Sequence, residues 1–219
     1  MKQKKSGQSF YQAHHVAMVE KILRVSKRLL LQKGFSTLSM DEIASKVGLS
    51  RQRLYCYFRG IDPIIYEIQI ADMSQFIAAM KDAYRPTISL APEERLHRII
   101  DAAFAYQDAR SEDFLFTSDF DTFYRARRKG LNDYRSRYEK TFNDQEFNQM
   151  LFQLFAEGQK SGAFRHDLVP EATTMFWANT LQLLLERLSI FESTPEQHDP
   201  NEMVLLKREM IFALEKYLH

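Results

Sequence analysis

Two short helical runs meet at a single glycine near the start of this chain, and that junction constrains the fold more than any other feature. Ser39-Met40-Asp41-Glu42 places a serine at an N-cap and a glutamate three residues on, the pattern of a capping box. Ile43, Ala44 and Val47 follow at helical spacing. Gly48 then breaks the run, Ser50 caps a second helix, and Leu54 and Phe58 line its inner face. Helices that cross steeply need a small residue where they touch, which Ala44 supplies, and the tight turn favours a residue free to take positive φ, which Gly48 supplies. Ile43, Val47, Leu49 and Leu54 fill the small core beneath. This is the spacing of a helix-turn-helix, whose second helix, about residues 50–58, enters the major groove of DNA. A generic helical hairpin has the same spacing, and charge separates the two readings.

The net charge of +1 hides a strong asymmetry. The first 60 residues carry 12 Lys/Arg against 3 Asp/Glu, whereas the remainder carries 18 against 26. A basic first quarter on a nearly neutral chain is an electrostatic footprint for a polyanion, and together with the helix pattern it points to nucleic acid. With 45% hydrophobic residues the chain can bury a sizeable core. One cysteine excludes an intrachain disulfide framework and fits a reducing compartment. The N-terminus lacks a continuous apolar stretch, so no secretory signal is expected, and no apolar run is long enough to span a membrane. A soluble, cytoplasmic protein is the expectation.

The rest of the chain also reads as helix, giving an all-α fold of about nine helices. Its 7 glycines and 6 prolines fall at element boundaries. Apolar periodicity predicts helices over about 15–32, 39–47, 50–58, 62–84 and from 92 through Phe104. Further helices are predicted over 111–129, 132–161, 170–191 and 201–218. The domains are expected at 1–61, a three-helix helix-turn-helix DNA-binding domain, and 62–219, a helical effector-binding and dimerisation domain.

The stretch Ile22-Leu23 … Gly34-Phe35-Ser36-Thr37-Leu38-Ser39-Met40-Asp41-Glu42-Ile43-Ala44 … Gly48-Leu49-Ser50 … Leu54-Tyr55-Cys56-Tyr57-Phe58 resembles the N-terminal signature of the tetracycline-repressor (TetR/AcrR) family of bacterial regulators. Glu157-Gly158-x-x-x-Gly162-Ala163-Phe164-Arg165-x-Asp167 also looks like that family's turn into its last two helices. One departure stands out. Where the family usually places a lysine at the start of the fourth helix, near a phosphate, this chain has Ile61, and Arg59 is the candidate substitute.

Base contacts are expected from Arg51, Gln52 and Arg53 in the first turn of the recognition helix, whose side chains suit guanine and adenine edges. Ser39 and Ser50 sit at helix N-termini, where free N–H groups favour a phosphate. Tyr55 and Tyr57 are similar to family positions that reach DNA, although either could pack inward. Lys2, Lys4 and Lys5 suit either a minor-groove arm or a solvated tail.

Between Phe104 and Phe155 lie 13 Phe/Tyr residues, more than a plain Leu/Ala bundle needs. The resemblance implies a ligand pocket here for a small apolar or aromatic effector, with Phe104, Phe120, Phe123, Tyr124, Phe152, Phe155 and Trp177 as candidate lining; a dense aromatic core is the alternative. The last two helices are apolar on more than one face, through Met175, Phe176, Trp177, Ala178, Leu181, Leu183, Leu184, Leu185 and Leu188 and through Val204, Leu205, Leu206, Met210, Ile211, Phe212 and Leu214, which predicts a homodimer through them. The resemblance implies a repressor released from a near-palindromic operator when the effector moves the helix from Asp62 to Tyr84. An activator or an architectural DNA binder without an effector shares the same motif. An enzyme is the remote rival: Glu94-x-x-His97 has the spacing of half a di-iron site but no second copy, so neither metal nor cofactor is expected.

Overall fold

A computed structural model describes the backbone of residues 2–124, 131–194, 196 and 199–219, with side chains from residue 12 onward except at residue 200. The described residues form ten α-helices, one short 3-10 turn and no strand. The helices are α1 (Lys2–Lys33), α2 (Met40–Val47), α3 (Arg51–Tyr55), α4 (Ile61–Tyr84), α5 (Pro92–Ala109), α6 (Ser111–Tyr124), α7 (Asn132–Phe142), α8 (Gln145–Ser161), α9 (Pro170–Glu192) and α10 (Pro200–Lys216). The 3-10 turn, Arg85–Thr87, carries Pro86 directly after α4.

The all-α expectation holds, with two changes in detail here. Helix α1 begins at Lys2 rather than near His15, because the polar residues before the first apolar stripe continue the same helix. The side chains of Lys2, Lys4 and Lys5, candidates for a groove arm, lie outside the described ones. The helix expected over 132–161 is two helices. Asp144 ends the first and caps the second by accepting a hydrogen bond from the Phe147 N–H at 2.8 Å. The last stretch of the helix expected over 111–129 lies outside the described residues beyond Tyr124.

These elements pack as two units. The first comprises Met1–Ala71 and Asp119–Tyr138, the second Asp72–Ser118 and Glu139–His219. Helices α4, α6 and α7 each contribute residues to both. In the first unit, Ile22, Leu30, Ile43, Val47, Leu54, Ile64 and Ile65 form a core almost without solvent contact. An aromatic cluster adds to it: the Tyr66 ring lies 5.1 Å from Phe120 and 4.9 Å from Tyr124, and Phe35 meets Phe123 edge-on at 5.5 Å. Tyr124 donates to the Asp62 carboxylate at 2.5 Å, and Arg137 grips Glu67 with both terminal nitrogens. The start of α4 is therefore fixed to α6 and α7 by rings and charges together.

In the second unit, α5, α8, α9 and α10 pack around Leu96, Ile99, Ile100, Ala103, Leu151, Leu154, Trp177 and Leu185. The Arg95 guanidinium is buried, bonded to the Tyr84 hydroxyl at 3.2 Å and paired with Glu157. A second buried polar contact joins Gln107 on α5 to Ser189 and Glu192 on α9, at 3.1 Å and 2.6 Å. Gly158 has a steric reason: a β-carbon there would lie 2.0 Å from the Phe164 ring. That contact makes physical sense of the Glu157–Asp167 motif, which turns the chain from α8 towards α9.

Candidate nucleic-acid interface

The reading head is built by local rules. Ser39 caps α2 and Glu42 returns the bond: the Ser39 hydroxyl accepts from the Glu42 N–H at 3.3 Å, and the Ser39 N–H donates to the Glu42 carboxylate at 3.0 Å. Lys33, at the end of α1, donates to the same carboxylate. Lys33 and the Ser39 donors hold Glu42 far below its ordinary value of 4.5, at about 2. Gly48 takes φ 81° and closes α2 through bonds to the carbonyls of Ala44 and Ser45. Lys21 of α1 adds a side-chain donor to the Val47 carbonyl at 2.8 Å, tying α1 to the same turn.

Ser50 opens α3, its hydroxyl accepting from the Arg53 N–H at 3.2 Å. Leu54 is fully buried and anchors the helix from below. Arg51, Gln52 and Arg53 are all exposed. Arg51 is not idle: it donates to Asp41 at 2.8 Å and lies 5.6 Å over the Tyr55 ring. Gln52 and Arg53 have no side-chain hydrogen bond or ion pair among the described residues, and Arg59 is likewise exposed and unpaired. Helix α3 is regular only through Tyr55, shorter than the expected 50–58. Turn bonds from the Tyr57 and Phe58 N–H groups to the Leu54 carbonyl carry it on to Phe58.

The two tyrosines differ. Tyr55 is exposed, whereas Tyr57 is half-buried with its ring stacked on His15 of α1 at 5.0 Å and 20° between planes. His15, Asp41 and Lys21 are contributors that sequence reasoning missed. Their contacts join residues 10 to 42 positions apart, and no local pattern marks them. Ile61 begins α4 without a cation, and the acidic Asp62 beside it is engaged by Tyr124.

A second feature lies wholly within the second unit. Met73, Phe76 and Ile77 of α4, Phe142 of α7, Phe147 and Phe152 of α8, and Trp177, Ala178 and Leu181 of α9 surround a cavity of about 550 Å³. Of the seven candidate lining residues, Phe152 and Trp177, the latter with no exposed surface, lie at this cavity, and the other five lie elsewhere. Phe104 and Phe155 are consumed in the bundle core, where close packing favours filled space. Phe120, Phe123 and Tyr124 belong to the ring cluster of the first unit. Sequence density placed all seven together because helical phase does not reveal which neighbour each ring meets.

On α9, Met175 is 69% and Leu183 64% exposed, and on α10, Val204 is 70% and Phe212 53% exposed. Among the described residues no group of three or more His, Cys, Asp or Glu side chains converges as metal ligands. The Glu94 and His97 side chains face separate partners, Arg98 and Glu215.

A short capped helix set across a second one, with a basic surface and polar side chains displayed from its first turn, defines a helix-turn-helix DNA-binding domain. Residues 22–68 match the family model described as bacterial regulatory proteins, tetR family. It is 37% identical over 68 residues to YvaF, an HTH-type transcriptional regulator of Bacillus subtilis. That match takes in 31% of this chain and 33% of YvaF, and the chain spans 32% of a second such relative, YerO. Likeness of fold extends further. The MbdR regulator from Azoarcus sp. CIB superposes with a TM-score of 0.67 at 19% identity over 92% of this chain and 99% of its own. FadR from Bacillus subtilis, solved with stearoyl-CoA, does so with 0.64 at 16% over 91% and 99%. These relatives are regulators, not enzymes. No helix among the described residues is long and apolar enough to cross a membrane.

Proposed function

We propose that this chain is a ligand-responsive, sequence-specific transcriptional repressor that binds a near-palindromic DNA operator as a homodimer. The observation that carries the reading is the capped helix α3, which presents Gln52 and Arg53 with no competing partner among the described residues. Residues 1–61 form the reading domain and 62–219 the effector and dimerisation domain. Arg53 and Gln52 read base edges, and Arg51 joins them when it leaves Asp41. Ser39, Ser50, Tyr55 and Arg59 contact the backbone, with Arg59 replacing the cation that Ile61 does not provide. Tyr57, held by His15, sets the height of the helix over the groove.

The exposed apolar side chains of α9 and α10 support pairing with a second copy, which fixes the spacing of two reading heads. The effector occupies the 550 Å³ cavity, within the size range of small-molecule sites. Met73, Phe76 and Ile77 bring α4 to the cavity wall, and the same helix begins at Ile61 directly after the reading domain. A ligand that binds better when α4 is displaced from its DNA-bound position releases the operator. Leu183→Glu tests the dimeric part by placing a charge in the pairing face. Sedimentation should show a monomer, and mobility-shift titrations should show the two-half-site complex lost with single-half-site binding retained. A dimer with unchanged affinity would overturn the assignment.

A further inference from the structure

The reading head carries an exposed acid that its helix cap does not use. In the first turn of α2, Glu42 closes the capping box with Ser39 and takes the Lys33 ammonium, so the cap is complete without Asp41. The Asp41 side chain has one hydrogen-bonded partner among the described residues, and that partner is Arg51. The Arg51 Nη1 donates to its carboxylate at 2.8 Å, with the two side chains 61% and 60% exposed. The same guanidinium lies over the Tyr55 ring, 5.6 Å from its centre. Arg53, two residues on, has no such partner among the described residues. The first turn of α3 therefore holds two arginines in different states, one free and one already matched by an anion from α2.

We infer that Asp41 competes with DNA phosphates for Arg51, and so holds down the affinity of the reading head for DNA of arbitrary sequence. This rests on the DNA-binding reading and adds to it a residue that opposes binding. Asp41 and Arg51 directly follow the cap turns of Ser39 and Ser50, the side chains assigned above to the DNA backbone. To reach a phosphate, Arg51 must exchange one anion for another, and the exchange leaves the Asp41 charge unmatched beside a polyanion. An exposed ion pair is weak in isolation, yet here it sets the charge that the backbone meets: a neutral pair instead of a cation. A guanine opposite Arg51 offers two acceptors, O6 and N7, and the two parallel bonds offset the lost pair.

The test uses the full chain and a duplex of mixed sequence, and follows fluorescence anisotropy across a salt series. Wild type, Asp41→Asn, Arg51→Ala and the double variant form a cycle. Asparagine keeps the size of the side chain and removes its charge. Asp41→Asn should bind about threefold to tenfold tighter than wild type. Its log affinity should fall more steeply against log salt, by about one for each reading head engaged, as a freed cation meets a phosphate. Introduced into Arg51→Ala, the same substitution should lose most of that gain in affinity and in slope. An equal gain in both backgrounds would make Asp41 an ordinary repelling charge and overturn the proposal, as would no gain from Asp41→Asn in the wild-type background. Failure of all four chains to bind the duplex at low salt would overturn the DNA-binding reading and the proposal with it, so the two failures are told apart.

Discussion

Two aromatic neighbourhoods drawn from one stretch of sequence behave in opposite ways. In the first unit, Phe120 and Tyr124 pack ring against ring with Tyr66, and the cluster is closed by a hydroxyl bonded to Asp62. In the second, Phe142, Phe152 and Trp177 stand around a cavity of about 550 Å³. Aromatic density alone therefore does not separate a rigid joint from a ligand site. The distinguishing feature is what the rings meet: other rings and a satisfied polar group in one case, and a cavity rimmed by polar side chains in the other.

Substitutions sharpen the contrast. Phe120→Ala removes a ring that is 2% exposed, and denaturant unfolding should show a loss of about 3–5 kcal/mol. Phe152→Ala, at the half-buried cavity wall, should cost under about 1.5 kcal/mol while weakening any cavity ligand. Comparable losses at the two sites would erase the distinction. Gly158→Ala should fall between them, about 1–3 kcal/mol, because the added methyl meets the Phe164 ring inside a packed core.

The reading head was legible in the sequence because its determinants are local. The Ser39–Glu42 box, Gly48, Ser50 and the buried Leu54 each announce themselves within a few residues, and the structure places each in that role. The second unit was less legible, since its determinants join distant residues. The break between α7 and α8 did carry a local signal, Asp144 three residues before Phe147, but the surrounding apolar periodicity masked it. The division of the aromatics between the two units, and the pairing of Tyr57 with His15, depend on contacts that no periodicity encodes.

A smaller effect concerns pH at the head itself. Glu42 is held at about 2 against an ordinary 4.5, so its contribution to stability is fully present above 4.5 and is lost as pH falls through about 2. Acid titration followed by helix-sensitive spectroscopy should show the wild type losing this support only in that window. Glu42→Gln, which cannot ionise, should lack that component of the transition. A transition of unchanged shape in the variant would remove Glu42 from the account.

The central claim is that Gln52 and Arg53, displayed by a capped α3, read DNA sequence. Selection of bound duplexes from a random pool, run in parallel for the wild type and Arg53→Ala, tests it most directly. The account predicts two inverted half-sites enriched by the wild type. In the variant, one base preference per half-site should relax, with specific affinity lower by about 1–3 kcal/mol. No enriched sequence for the wild type, or an identical motif and affinity in the variant, would contradict it.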